Sequence, residues 1–286
     1  MTTPASPTNP SVPLPDGRVV PALGQGTWRL GDDPRRRESE IAALRAGLDA
    51  GLTLIDTAEM YGQGASERLV GEAIEGRRDE VFVVGKVLPD NASRRGTVEA
   101  CHASLERLGL ERLDLYLLHW RGRHPLTDTV EGMEELVAEG AIGGWGVSNF
   151  DLEDMTELVG PAGGVNVQTN QILYNLARRG PEFELLPWAR DRGMPLMSYS
   201  PVDGGELLDH PVLRTVAAEM GATPAQVALA WVLRLAPDML AAVKAATTEH
   251  ALENAAALAI DLDDRAVVQL ERAFPAPTGP EPLEMR

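Results

Sequence analysis

Lysine is nearly missing from this chain. Of its 26 basic residues only Lys86 and Lys244 are lysine, the rest being arginine. Cysteine occurs once, at Cys101, which excludes an intramolecular disulfide and implies a reducing compartment. Positive charge is short overall. Against 43 Asp and Glu the formal net charge is −17, which argues against nucleic acid or an anionic membrane as the main partner and favours a self-repelling surface, so a monomer is expected. No segment approaches the roughly 18 apolar residues of a spanning helix. Residues 1–13, rich in Pro, Ser and Thr, lack the basic start and apolar centre of a signal peptide, so a cytoplasmic location is expected. A P-loop is absent. The glycine-rich stretch Leu23-Gly24-Gln25-Gly26-Thr27-Trp28 lacks the third glycine of a dinucleotide fingerprint and follows a hairpin signal, where a βαβ unit would be needed.

What is present is an apolar content of 44% over 286 residues, enough to bury one large barrel core or two smaller ones. The run Leu52-Thr53-Leu54-Ile55-Asp56 reads as a buried strand that delivers one carboxylate at its end. Five residues on, Tyr61-Gly62 opens a helical pattern, so a phenol and a carboxylate lie within one loop's reach. A tyrosine acts as a general acid near neutrality only when a positive charge brings its pKa down. The two lysines end apolar runs, Val81-Phe-Val-Val-Gly-Lys86 and Leu240-Ala-Ala-Val-Lys244, rather than lying on polar helix faces. Because an ammonium and a guanidinium are not interchangeable, lysine kept where arginine is the rule suggests a chemical role rather than a snorkelling cation.

Asp16-Gly17 between short apolar pieces signals a hairpin. Beyond it, helical patterns alternate with apolar runs at residues 52–55, 81–84, 113–118, 142–147, 165–167, 195–198, 240–243 and, less clearly, 259–262. Eight strands alternating with helices call for a parallel sheet covered on both faces, and at this length for a closed (β/α)8 barrel. Polar residues should then gather where strands end. Asp56, Lys86, His119-Trp120, Ser148-Asn149, Asn170-Gln171, Tyr199-Ser200 and Lys244 stand there. Any one of them could be a helix cap; all seven together are hard to treat so. The expected organisation is a disordered segment 1–10, a single barrel domain 11–274 and a Pro-rich tail 275–286, either laid over the barrel mouth or, as its sparse apolar content favours for the last residues, free. Short loops elsewhere predict an open site and broad carbonyl tolerance.

These residues resemble the aldo-keto reductase family over essentially the whole chain. The motifs are Asp56-Thr-Ala-Glu-Met-Tyr61-Gly62, Gly85-Lys86-Val87, Leu115-Tyr-Leu-Leu-His119-Trp120, Gly146-Val-Ser148-Asn149-Phe150, Asn170-Gln171, Tyr199-Ser200-Pro201, and Lys244 followed by Glu249-His250 and Glu253-Asn254-Ala255. Within the family the chain is similar to small bacterial reductases acting on reactive aldehydes such as methylglyoxal. The resemblance implies a catalytic tetrad of Asp56, Tyr61, Lys86 and His119, a small carbonyl substrate, and NADPH as cofactor with NADH possible. It implies that Ser148, Asn149 and Gln171 bind the carboxamide and that Tyr199 stacks on the nicotinamide. Gly26 and Thr27 would approach the ribose and phosphates, Ser200 the pyrophosphate, and Glu253 and Asn254 the adenine end. Trp28 and Trp120 would wall the substrate pocket, and no metal is implied. One position departs from the pattern: NADP-selective relatives usually place an arginine where this chain has His250, and Ala245 replaces the usual serine beside Lys244. Lys244, Thr247 and Thr248 can still meet a phosphate, so the margin of NADPH over NADH should be smaller than usual.

Two other readings stay open on the residues. Lys86 could be a Schiff-base nucleophile of a barrel aldolase, which would leave Tyr61 unexplained. A regulatory nicotinamide-binding protein could keep the same fold, although an incomplete tetrad would be its sign. A metal-dependent hydrolase is disfavoured, because the mouth offers one His and one Asp.

Overall fold

The computed structural model describes residues 8–286. Residues 1–7 of the segment expected to be disordered lie outside the described part, while Asn9 is held: its amide donates to the Leu23 carbonyl at 2.8 Å and accepts from the Leu23 N–H at 3.0 Å. The hairpin follows. Strands β1 (Ser11–Pro13) and β2 (Val19–Pro21) pair antiparallel around Asp16-Gly17, where Gly17 takes φ +86°, a conformation that glycine adopts without a Cβ clash.

Eight parallel strands then close on themselves: β3 (Leu23–Gly26), β4 (Leu54–Asp56), β5 (Phe82–Val87), β6 (Leu115–Leu118), β7 (Trp145–Ser148), β8 (Asn170–Leu173), β9 (Leu196–Tyr199) and β10 (Met239–Lys244). Strand β10 pairs with both β9 and β3, which completes the (β/α)8 barrel. Helices α1 (Arg37–Asp49), α2 (Ala65–Ala73), α3 (Arg94–Leu108), α4 (Leu126–Glu139), α5 (Leu152–Val159) and α6 (Leu185–Arg190) connect β3 through β9. A pair, α7 (Pro211–Met220) and α8 (Pro224–Leu233), precedes β10, and α9 (Thr248–Ala256) and α10 (Asp264–Ala273) follow it. Among the described residues no single helix is long and apolar enough to cross a membrane.

Side chains of a strand point alternately to its two faces, and this alternation positions the site. Ile55, Val83, Tyr116, Leu118, Val147 and Ile172 face outward and pack in one core with the helices. Leu54, Val84, Leu115, Leu117, Met197, Leu240 and Ala242 face inward and pack with Val12, Leu14, Val20 and Ala22 of the hairpin, which therefore closes the barrel floor. Asp56, Lys86 and His119 stand two positions beyond Leu54, Val84 and Leu117. They share the inward face one layer above that apolar plug. Each fully buried aliphatic side chain in these layers contributes about 1.5–3 kcal/mol, so the polar layer rests on a stiff support.

The strand register differs from expectation at both ends of the barrel. The first barrel strand is the glycine-rich Leu23–Gly26, and the segment 259–262 forms no strand. A sequence of two glycines and an amide shows no apolar alternation, yet Gln25 turns outward and donates to the carbonyls of Leu44 and Leu52, while the glycines face the interior. The run 165–167 likewise gives way to Asn170–Leu173, because polar Asn170 is fully buried with its amide donating to the Phe150 carbonyl.

The C-terminal segment 275–286 forms no helix or strand, in keeping with its prolines. Its last residues, expected to be free, lie against the C-terminal face of the barrel. Leu283 packs on the core, Glu284 accepts from Arg178 at 2.6 Å, and Arg286 is bound to the loop after β9. Ion pairs supply the anchoring that its few apolar side chains could not.

Candidate active site

Asp56 ends β4 and Lys86 lies near the end of β5. Their facing ends bring the ammonium to 2.7 Å from the Asp56 carboxylate and 3.1 Å from the Thr57 carbonyl, with the lysine side chain completely buried. Tyr61 arrives from the loop after β4, on a tight turn in which Gly62 takes φ +55°, a conformation that favours glycine. The turn aims the phenol inward, and Lys86 Nζ donates to Tyr61 Oη at 3.2 Å. His119, just beyond β6, meets the Tyr61 ring edge-on at 5.8 Å and carries Trp120 against its other side at 4.8 Å. The four side chains implied by the resemblance thus surround one point at the barrel mouth.

The electrostatics follow from the burial. Burial pulls the Lys86 pKa down, but the Asp56 carboxylate and the Tyr61 phenol outweigh it, so the ammonium is held above its ordinary range. An amine so protonated and enclosed by three acceptors is no Schiff-base nucleophile. Burial pushes the Tyr61 phenol up and the Lys86 charge opposes it without cancelling it. Lys86 thus pulls the Tyr61 pKa down, as expected, while burial outweighs it, and the phenol keeps its proton until charge develops beside it. Burial, with Lys86 adding to it, brings His119 from 6.5 down to about 3, so its imidazole is neutral at ordinary pH. Its Nδ1 is buried without a hydrogen-bond partner among the described residues.

Asp56 has a further partner. Gln171 Nε2 donates to Asp56 Oδ1 at 2.8 Å across the barrel and lies 2.9 Å from Met197 Sδ. Gln171, which the resemblance assigns to the cofactor's carboxamide, also orients the tetrad carboxylate through its amide nitrogen. Ser148, also expected there, donates its hydroxyl to the Gln171 carbonyl. Thr27 is fully buried and donates to the Asp56 carbonyl while accepting from Ser66, so its side chain supports the end of β4. No pattern in the chain marked these supports, because Gln, Ser and Thr at strand ends look alike whether they bind a ligand or a neighbour.

The remaining residues line the mouth. Asn149, with φ +60°, donates to the His119 carbonyl and to Ser148 Oγ, and its Oδ1 accepts from the Tyr199 hydroxyl at 2.9 Å. Burial pushes the Tyr199 phenol up to about 12, which keeps it a donor. Ser200 follows in a left-handed conformation, its carbonyl accepting from Asn175. Gly26 ends β3 beside Lys244. Trp28 is exposed and carries the Arg29 guanidinium over its ring. On the adjacent strand, Lys244 is exposed and has no ion-pair partner among the described residues. Thr247, Thr248 and His250 are exposed at the start of α9, Glu253 is half-buried and Asn254 buried. An unpaired ammonium, hydroxyls and a helix N-terminus in a chain of net charge −17 suit a polyanion. A phosphate-bearing dinucleotide fits this donor set.

Comparison with known proteins agrees with the geometry. Residues 22–274 match the model of the Aldo/keto reductase family. Methylglyoxal reductase YeaE of Escherichia coli is 48% identical over 271 residues, covering 93% of this chain and 95% of that protein. Two crystal structures of an aldo-keto reductase from Klebsiella pneumoniae, one with NADP and acetate and one with NADPH, each superpose with a TM-score of 0.94 at 48% identity. Each match covers 98% of this chain and 100% of that one.

Proposed function

This chain belongs to the aldo/keto reductase family, and we propose that it reduces small reactive aldehydes, 2-oxoaldehydes such as methylglyoxal among them, with NADPH as its preferred reductant. It is a nicotinamide-dependent carbonyl reductase. The observation that carries the reading is the contact of the Tyr61 phenol with a fully buried Lys86 ammonium at 3.2 Å, fixed from behind by Asp56.

When bound, the nicotinamide supplies a hydride to the carbonyl carbon. Negative charge then grows on the carbonyl oxygen, and Tyr61 passes its proton to that oxygen to give the alcohol. The phenolate left behind is stabilised by Lys86, whose own charge is balanced by Asp56. Gln171 keeps Asp56 oriented. Neutral His119 hydrogen-bonds the oxygen and orients the carbonyl toward Tyr61. In the oxidative direction Tyr61, as phenolate, is the base. Trp28 and Trp120 exclude water from the reacting carbon. Ser148, Asn149, Gln171 and Tyr199 would hold the nicotinamide, Gly26, Thr27 and Ser200 the ribose and pyrophosphate, and Lys244, Thr247, Thr248, His250, Glu253 and Asn254 the adenosine end. His250 in place of an arginine narrows the margin over NADH, since it lacks a fixed charge and a planar fork.

The enzyme acts as a cytoplasmic monomer, a reading supported by its self-repelling charge, its buried lone cysteine and a tetrad assembled within one chain. Oxidation of reduced nucleotide followed over a panel of 2-oxoaldehydes, short aldehydes and ketones tests the function. Turnover is expected on the first two classes, faster with NADPH than with NADH. Failure to oxidise either nucleotide with any carbonyl would contradict the proposal.

A further inference from the structure

The loop leaving β9 carries two carboxylates toward the place where the proposed reading puts the cofactor's pyrophosphate. Asp203 and Glu206 lie three and six positions beyond Ser200, and the Asp203 side chain is only 6% exposed. In a chain of net charge −17, two such charges would repel a dinucleotide. One cation answers both. Arg286 Nη1 donates to the Asp203 carbonyl at 2.8 Å and to its carboxylate at 2.9 Å, while Nη2 donates to Glu206.

The fit of this arginine is local and specific. The loop runs through left-handed conformations at Ser200, Asp203, Gly204 and Gly205, and the guanidinium carbon lies 3.3 Å from the point where a Cβ on Gly204 would stand. Gly204 therefore leaves the space that Arg286 uses. Arg178 comes no closer to Asp203 than 3.9 Å and is already paired with Glu284, so it is a poor substitute. The Arg286 N–H also donates to the Tyr199 hydroxyl at 3.2 Å, Tyr199 donates to Asn149 Oδ1 at 2.9 Å, and Asn149 donates to the His119 carbonyl at 3.0 Å. Three hydrogen bonds thus join the C-terminal segment to the backbone of a tetrad residue.

We infer that Arg286 is a positioning residue for the cofactor: it neutralises Asp203 and Glu206 beside the pyrophosphate and steadies Tyr199, so that it sets how tightly and how long the dinucleotide is held. The inference rests on the cofactor placement proposed above. It also makes the C-terminal segment part of the cofactor site, acting on nucleotide binding and release rather than on the proton transfer itself.

Fluorescence titration of NADPH, together with stopped-flow release of NADP+, tests it on the full chain. Arg286→Ala should raise Kd and speed release by roughly tenfold at low salt, the effect of exposing one or two charges near a surface. The deficit should shrink at about 1 M salt, where the Debye length falls to ~3 Å. Arg286→Lys should fall in between. Adding Glu206→Gln to Arg286→Ala should restore much of the binding, a rescue that a merely structural role for Arg286 would not give. A Kd for Arg286→Ala within twofold of the unaltered protein at low salt would overturn the inference, as would a loss that neither salt nor Glu206→Gln reduces. An unaltered protein that binds neither NADPH nor NADH would instead overturn the reductase reading, and this inference with it.

Discussion

Lys86 holds the charge around which the other site residues are arranged, and the scarcity of lysine made it visible in the sequence. A rare residue at the end of an apolar run, with Asp56 and Tyr61 on the preceding run, identified three of the four converging side chains, and the motif Leu115–Trp120 identified His119. The side chains that support them were not visible: Gln171 and Thr27 carry no pattern that separates holding Asp56 from holding a ligand. His119 gives the residue-scale prediction. In the folded chain its imidazole takes a proton only near pH 3, whereas in the unfolded chain it does so near 6.5. The unfolded state therefore binds the extra proton throughout that interval, and stability should fall as pH drops from 6.5 toward 3. His119→Gln removes this titration, so its Tm should decline less steeply than that of the unaltered protein over the same range. Parallel declines would show that His119 is not buried neutral.

At the scale of elements, the strands with apolar runs were legible, whereas β3, which is half glycine, and β8, which begins on buried polar residues, were not. Strand β3 is built of Leu23-Gly24-Gln25-Gly26, and its need for small residues becomes apparent only once β4 is beside it. A Cβ on Gly24 would stand 2.4 Å from Leu54 Cδ2 and 2.8 Å from the Leu54 carbonyl oxygen. Gly24→Ala must therefore push β3 away from β4, at a cost of about 1–3 kcal/mol. Urea denaturation should show that loss without a change in slope, and an unaltered midpoint would mean that the two strands are not clamped there. The same reasoning explains the segment 259–262: apolar residues at its place suggested an eighth strand, but β3 had already filled that position by pairing with β10.

For the molecule as a whole, a net charge of −17 and an anionic cofactor pull in opposite directions; at the mouth, Lys244 has no ion-pair partner among the described residues, and on the neighbouring strand's loop Arg286 covers two carboxylates. The hairpin closes the floor, so the mouth is the end of the barrel at which the polar layer opens. The C-terminal segment could not be placed from its sequence, because its anchoring depends on ion pairs with loops far away in the chain, and such pairs leave no periodicity. The proposed reduction depends on the proton of one phenol. Its most direct test is a parallel measurement on Tyr61→Phe of NADPH affinity and of the single-turnover rate of aldehyde reduction. The rate should fall by roughly 10²–10⁴-fold, the range of a lost general acid, with Kd for NADPH nearly unchanged. A rate within a few fold of the unaltered enzyme, or equal losses of rate and affinity, would contradict it.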